Sequence, residues 1–287
     1  MNHVEAKQSQ HKSWTMVAPG WGKYDPLMRT WAAPVTERMI ALAAIREGSR
    51  VLDIACGAGE PALTIAERVG PGGAVLATDF VEEMIGYARS KAQARSLSNI
   101  EFRCVDGEVI DEMKNSFDAV TMRWGLMFMP DPVKCMHCAN SALKPGGKAV
   151  ITVWTEAANN PFVTVPLGVL KRHMDIPAPA PGAPGIFALA DPDRLRAIFA
   201  EAGFSDVTIE QVSIPMADFS TGAEYDVFIR ELAGPVASLF AQLPADTQAI
   251  VKQEIVREAE ARSSKPGRVY LNGITHVVVG TKPRNQA

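Results

Sequence analysis

One segment constrains this chain more than any other: Val51-Leu52-Asp53-Ile54-Ala55-Cys56-Gly57-Ala58-Gly59-Glu60-Pro61. Arg50 to Ala55 is a short apolar run with strand character. It enters a glycine turn, and Pro61 opens a helix to about Val69, because proline fits a first helical turn without losing a hydrogen bond. A strand that feeds a helix through glycine lets backbone amides approach a ligand closely. The unit then recurs. Ala74 to Thr78 is a strand ending at Asp79, with a helix over Glu82 to Ala94; Ile100 to Val105 is a third strand, ending at Asp106. Phe117 to Met122 is a fourth, followed by a helix over Val133 to Leu143. Lys144-Pro145-Gly146-Gly147 turns the chain into a fifth strand, Lys148 to Trp154. Alternating strands and helices demand a parallel sheet covered on both faces, a doubly wound α/β fold.

The acids sharpen this. Asp53 stands at the end of the first strand, before the glycines; Asp79 ends the second, twenty residues after Gly59; Asp106 ends the third. In an open α/β sheet the carboxyl ends of the strands line one crevice, where strand order reverses. Three carboxylates are therefore expected to converge on one ligand. Asp79 is placed to accept from two ribose hydroxyls and would repel a 2′-phosphate, and Asp106 is placed to accept from an adenine amine.

Val51 to Gly59, together with Asp79, Asp106-Gly107 and Leu143-Lys144-Pro145-Gly146-Gly147, resembles the class I S-adenosylmethionine-dependent methyltransferases. Among them it is most similar to the quinone-biosynthesis-type branch of small-molecule enzymes. The likeness covers roughly Val35 to Trp154 and the last strand pair. It implies a seven-stranded, mostly parallel sheet in the order 3-2-1-4-5-7-6, its last strand antiparallel, with S-adenosylmethionine as cofactor. Carried onto this chain, it implies that Gly57 and Gly59 meet the methionine part. Asp79 would hold the ribose, and Asp106, beside Gly107, the adenine amine. Phe80 and Met84 would be apolar walls of the adenine. Asp53, Tyr24 and Arg123 complete the expected cofactor contacts, Arg123 at the carboxylate or, in a structural role, at nearby backbone carbonyls. Ala55 departs from the pattern, standing where many members have their first glycine.

The expected layout is an N-terminal tail and lid segment over 1–33, a cofactor-binding core over 34–154 whose first helix runs from Pro34 to Ile45, and an insertion over 155–190. The sixth strand, Asp206 to Ile214, follows a helix in 191–214; a helical lid over 215–268 precedes a last strand and tail over 269–287. Both insertions and the N-terminal segment emerge over the crevice. They carry Trp14, Trp21, Tyr24, Trp31, Phe162, Phe219, Tyr225 and Phe228, which are expected to roof an apolar acceptor pocket. A general base is not fixed by the sequence: His173 and His276 are the candidates, the first otherwise a solvated residue and the second a packed one. Glu60, Arg123 and Trp124 border the crevice by position. His3 and His11 fall in the tail.

The net charge of -3 and a pI near 6.0 give no support to a polyanion partner. The fourth strand continues Met122-Arg123-Trp124-Gly125, without the Asn/Asp-Pro-Pro-aromatic signature of base aminomethylases. The opening residues lack an apolar signal region and no run is long enough to span a bilayer, so a cytoplasmic address is expected, with a small-molecule acceptor and neither nucleic acid nor membrane as partner. The four cysteines suit reduced thiols. Cys135-Met136-His137-Cys138 lacks a second ligand pair and sits on a helix, so no metal is expected. The competing readings are a nucleic-acid methyltransferase on this fold, a protein that binds the cofactor without turnover, and a nicotinamide-dependent oxidoreductase, whose later strands would stay parallel.

Overall fold

The computed structural model describes residues 3–110 and 113–284. Strands β1 (Arg50–Ile54), β2 (Ala74–Asp79), β3 (Ile100–Cys104), β4 (Phe117–Arg123), β5 (Leu143–Trp154), β6 (Ser205–Phe219) and β7 (Val269–Thr281) form one sheet. Its order is β3-β2-β1-β4-β5-β7-β6, with β1 to β5 parallel and β7 antiparallel to both neighbours. The antiparallel return separates this sheet from a nicotinamide fold. β1 and β2 are buried almost throughout, as strands covered on both faces must be. Strand order reverses between β1 and β4, which sets the crevice at the ends of those two strands.

Ten helices surround the sheet among the described residues: α1 (His3–Lys23), α2 (Asp25–Leu42), α3 (Ala62–Val69), α4 (Glu82–Ala94) and α5 (Pro132–Ala142), then α6 (Pro161–His173), α7 (Pro192–Glu201), α8 (Gly222–Leu232), α9 (Gly234–Phe240) and α10 (Ala245–Ala261). Several start on local signals. Asp131 caps α5 by accepting from the Lys134 N–H, and Pro132 fills its first position. Thr221 and Glu224 make a reciprocal capping box at α8.

Three expectations need correction. The N-terminal segment is not a tail but two helices, and α2 begins at Asp25 rather than Pro34. Pro19 in α1 and Pro34 in α2 disguise both, and α1 holds its shape by docking on α8 and α4. β5 starts at Leu143, so the Lys144–Gly147 turn is an irregularity within a strand, where the register with β4 shifts between Phe117 and Ala119. β6 continues past Ile214 to Phe219, although Pro215 reads as a breaker. It is the edge strand of the sheet, where proline is tolerated, and the register shifts beside Pro215.

That longer strand positions the site. β5 stops pairing at Trp154 opposite Thr275, whereas β6 and β7 stay paired to Phe219 and Val269. A two-stranded arm thus projects beyond the crevice, and α8, α9 and α10 hang from its tip.

Candidate active site

A cavity opens over the carboxyl ends of β1, β2 and β4, with an empty volume of about 1530 Å³ including its mouth. Its lining divides into a polar end, with Asp79, Asp106, Arg123 and the turn at Gly57, and an end built from indole, phenyl and thioether side chains.

The polar end is built from strand termini. Asp79 closes β2 and accepts from two backbone N–H groups, Gly57 at 2.9 Å and Val81 at 3.0 Å. Burial pushes its pKa up to about 6 against the pull of those donors. Asp106 lies just past β3, capping a short turn over Gly107–Val109 by accepting from the Glu108 N–H at 2.9 Å. Gly107, Phe80 and Met84 also line the cavity. A Cβ on Gly107 would come within 2.8 Å of Ile54 Cγ2, so only glycine fits there.

Not every expected residue reaches the cavity. Asp53 is fully buried beneath the turn, accepting from the Thr121 hydroxyl of β4 at 2.5 Å, and burial pushes its pKa up to about 7. Its other oxygen has no partner. The expected convergence of three acids is thus two acids on the cavity and one behind its wall. Gly57 and Gly59 also differ. A Cβ on Gly57 would meet nothing within 4 Å, whereas one on Gly59 would strike Leu63 at 2.7 Å, so Gly59 serves packing. Ala55, in the position of the missing glycine, takes a φ of +56°, a conformation costing a β-carbon about 1–2 kcal/mol.

Arg123 lines the cavity and also takes the structural role, donating to the Thr36 hydroxyl at 2.9 Å and the Glu60 carbonyl at 3.1 Å. Tyr24 lies outside the lining and packs edge-on against Phe228 at 5.0 Å. Of the aromatics expected to roof the site, Trp14, Trp21, Phe162 and Phe228 line it. Trp31, Phe219 and Tyr225 form the lid's own core with Tyr24: Trp31 and Phe219 meet at 5.4 Å, and the Tyr225 hydroxyl donates to the Phe162 carbonyl at 2.6 Å.

Neither histidine is at the cavity. His276 is buried and donates to the Ala190 carbonyl at 2.9 Å. His173 ends α6 and faces Glu254 of α10 at 3.2 Å. His11 is not in a tail: on α1, its ring meets Phe80 edge-on at 5.5 Å.

Two features were not anticipated. Lys7 of α1 forms ion pairs with Asp106 and, at 2.7 Å, with Glu108, so the first helix spans the polar end. Trp154, closing β5, stacks on Trp124 at 4.6 Å and 15°. The lysine gave no signal in a polar N-terminal stretch; the tryptophans were readable as residues that follow or end adjacent parallel strands.

The ubiE/COQ5 methyltransferase family matches residues 27–169. A demethylmenaquinone methyltransferase from Shouchella clausii (strain KSM-K16) is 32% identical over 181 residues, covering 58% of this chain and 74% of that protein. A ubiquinone/menaquinone biosynthesis C-methyltransferase from Pseudomonas entomophila (strain L48) is 31% identical over 184 residues, 61% and 72% of the two chains. Among solved structures, the YcgJ protein of Bacillus subtilis superposes with a TM-score of 0.58 at 20% identity, covering 87% and 98%. The phosphoethanolamine N-methyltransferase 2 of Haemonchus contortus, solved with S-adenosylhomocysteine, gives 0.52 at 19% identity, covering 85% and 51%. At such identities the structural likeness establishes the fold alone.

Proposed function

The chain belongs to the ubiE/COQ5 methyltransferase family, and from that premise we propose which residues hold the two reactants and what kind of molecule is methylated. The reaction is transfer of a methyl group from S-adenosylmethionine to a small molecule. The proposed acceptor is an apolar ring compound methylated at carbon, as the names of the quinone-methylating relatives suggest.

The residues suit the cofactor. S-adenosylmethionine supplies a methyl group on a positively charged sulfur, which keeps the bonding electron pair as the methyl leaves. Asp79 spends one contact per oxygen on backbone amides and keeps lone pairs for the ribose hydroxyls. Asp106 offers an acceptor for the adenine amine at the rim, and Phe80 and Met84 are its walls. The open space above Gly57 admits close backbone approach, and Arg123 supplies a buried cation for the methionine carboxylate.

The observation that carries the reading is the junction of the two ends in one cavity: Asp79 and Asp106 share it with Trp124, Trp154 and Phe162. A methyl donor held at the first set faces directly into the second. Among the described residues no imidazole lines the cavity, while carboxylates do, so the proton that a carbon acceptor gives up as it takes the methyl leaves to a lining carboxylate or through the mouth to solvent; alignment of donor and acceptor suits the in-line displacement itself.

Incubation with methyl-labelled S-adenosylmethionine and reduced demethylmenaquinone tests this. Label is expected in an organic-extractable product with the methyl group on ring carbon. Label appearing only in a heteroatom-methylated polar metabolite, or in added RNA, would contradict the acceptor proposed.

A further inference from the structure

Four flat groups stand in series from the polar end of the cavity into the lid. The Arg123 guanidinium lies 5.0 Å from the Trp124 ring centre. Trp124 stacks on Trp154 at 4.6 Å, and Trp154 meets Phe162 at 4.8 Å and 56°. All four line the cavity.

The chain accepts cost to hold Trp124 there. Its φ is +59°, the left-handed region that a β-carbon disfavours, and no glycine relieves it. Strain of this kind persists where the surroundings over-determine it, and it gathers at functional sites. The surroundings here are specific. The Trp124 backbone N–H donates to Thr152, to both the carbonyl at 3.0 Å and the hydroxyl at 3.1 Å. Its indole N–H donates to the Thr275 hydroxyl at 3.1 Å, and that hydroxyl in turn donates to the Val153 carbonyl at 2.8 Å. Space is also cleared for the partner. A Cβ on Gly273 would lie 2.8 Å from Trp154 Cζ3 and 2.9 Å from Phe162 Cε1. A core that needed only apolar filling would require neither the strained backbone nor the hydroxyl anchor.

We propose that Trp124 and Trp154 are positioning residues for the acceptor: with Arg123 and Phe162 against their outer faces, the stacked pair turns its ring edges to the cavity, and a planar conjugated ring seats on those edges in edge-to-face contact, with Thr275 fixing the plane of Trp124. This rests on the methyltransferase reading of the cavity. The pair joins the polar end to the lid, so a ring seated on it lies beside the donor rather than deeper in the lid. Ring–ring contacts discriminate planar π systems from saturated ones of the same size, and two indoles should give about tenfold.

The test is calorimetry on the full chain saturated with S-adenosylhomocysteine, using 2-naphthol and its saturated counterpart trans-decahydro-2-naphthol as probes. The wild type should bind the planar probe about tenfold more tightly. Trp154→Leu should reduce that preference to below about threefold while S-adenosylhomocysteine affinity stays within about twofold. Trp124→Phe keeps a ring but loses the indole N–H that meets Thr275, so it should keep only part of the preference. Thr275→Val, isosteric but without the anchor, should lose part of it with the fold intact, so the idea remains testable if Trp154→Leu does not fold. In turnover these variants should raise the acceptor KM more than they lower kcat. Equal binding of both probes by the wild type overturns the proposal, as does a full preference in Thr275→Val or Trp154→Leu. Failure of the wild type to bind S-adenosylhomocysteine would instead sink the reading on which it rests.

Discussion

Asp79 and Asp53 are both buried carboxylates, and the same physics gives them different consequences. In Asp79 desolvation raises the pKa to about 6. Ribose hydroxyls donating to the carboxylate would favour its charged form, so binding should expel a proton near pH 6. S-adenosylhomocysteine affinity is therefore expected to weaken as pH falls below about 6, approaching tenfold per pH unit. Titration at pH 6 in two buffers of different ionisation enthalpy measures the released proton, and identical heats in both would refute this. Asp53 faces no ligand and is pushed from an ordinary 3.8 up to about 7 by burial. A raised carboxyl pKa stabilises the fold below the unfolded value, and that stability disappears as pH climbs through the folded value. Between pH 4 and 7 the free protein should lose up to about 4 kcal/mol from this residue, at 1.36 kcal/mol per unit. Asp53→Asn should flatten that slope in urea unfolding at a series of pH values; an unchanged slope would exclude Asp53 as its source. At this scale the sequence was informative where strand ends fix residues. Asp79, Asp106 and Gly57 follow from local pattern alone. Whether Asp53 faces cavity or core is decided by the pleat and by its pairing with Thr121, which no local pattern carries.

Among the elements, α1 was the least legible and matters most to access. Its polar residues, Pro19, Gly20 and Gly22 disguise a helix, because helicity here is held by docking rather than by propensity. Gly20 shows how tight that docking is. A Cβ there would sit 2.0 Å from the Glu231 carbonyl of α8, and the Trp21 indole donates to the Leu232 carbonyl at 3.0 Å. Gly20→Ala must therefore displace α1, and overpacking of this kind costs about 1–3 kcal/mol. The displacement should also loosen Lys7 from Asp106 and speed tryptic cleavage within α1, read by thermal denaturation and limited proteolysis. Unaltered cleavage and stability would mean that α1 does not close on α8. β6 erred in the opposite direction: Pro215 suggested an end, and only its edge position allows the strand to continue.

Over the whole molecule, the order of the sheet and the lid's place above it were legible, because the rhythm of strands and helices limits the possible connections. The lid's internal packing was not. Half of its aromatics face the cavity and half face one another, and which do so depends on how α8 and the β6–β7 arm lie, a matter of tertiary contact. The account depends on the polar end of the cavity gripping an adenosyl group through Asp79. Calorimetric titration of S-adenosylhomocysteine into the wild type and into Asp79→Asn tests it most directly. The wild type should bind at one site, and the variant, folded by its thermal transition, should bind about 10–100-fold more weakly, as expected when hydrogen bonds to a charged acceptor are lost. Equal affinities for the two proteins, or no binding to the wild type, would contradict it.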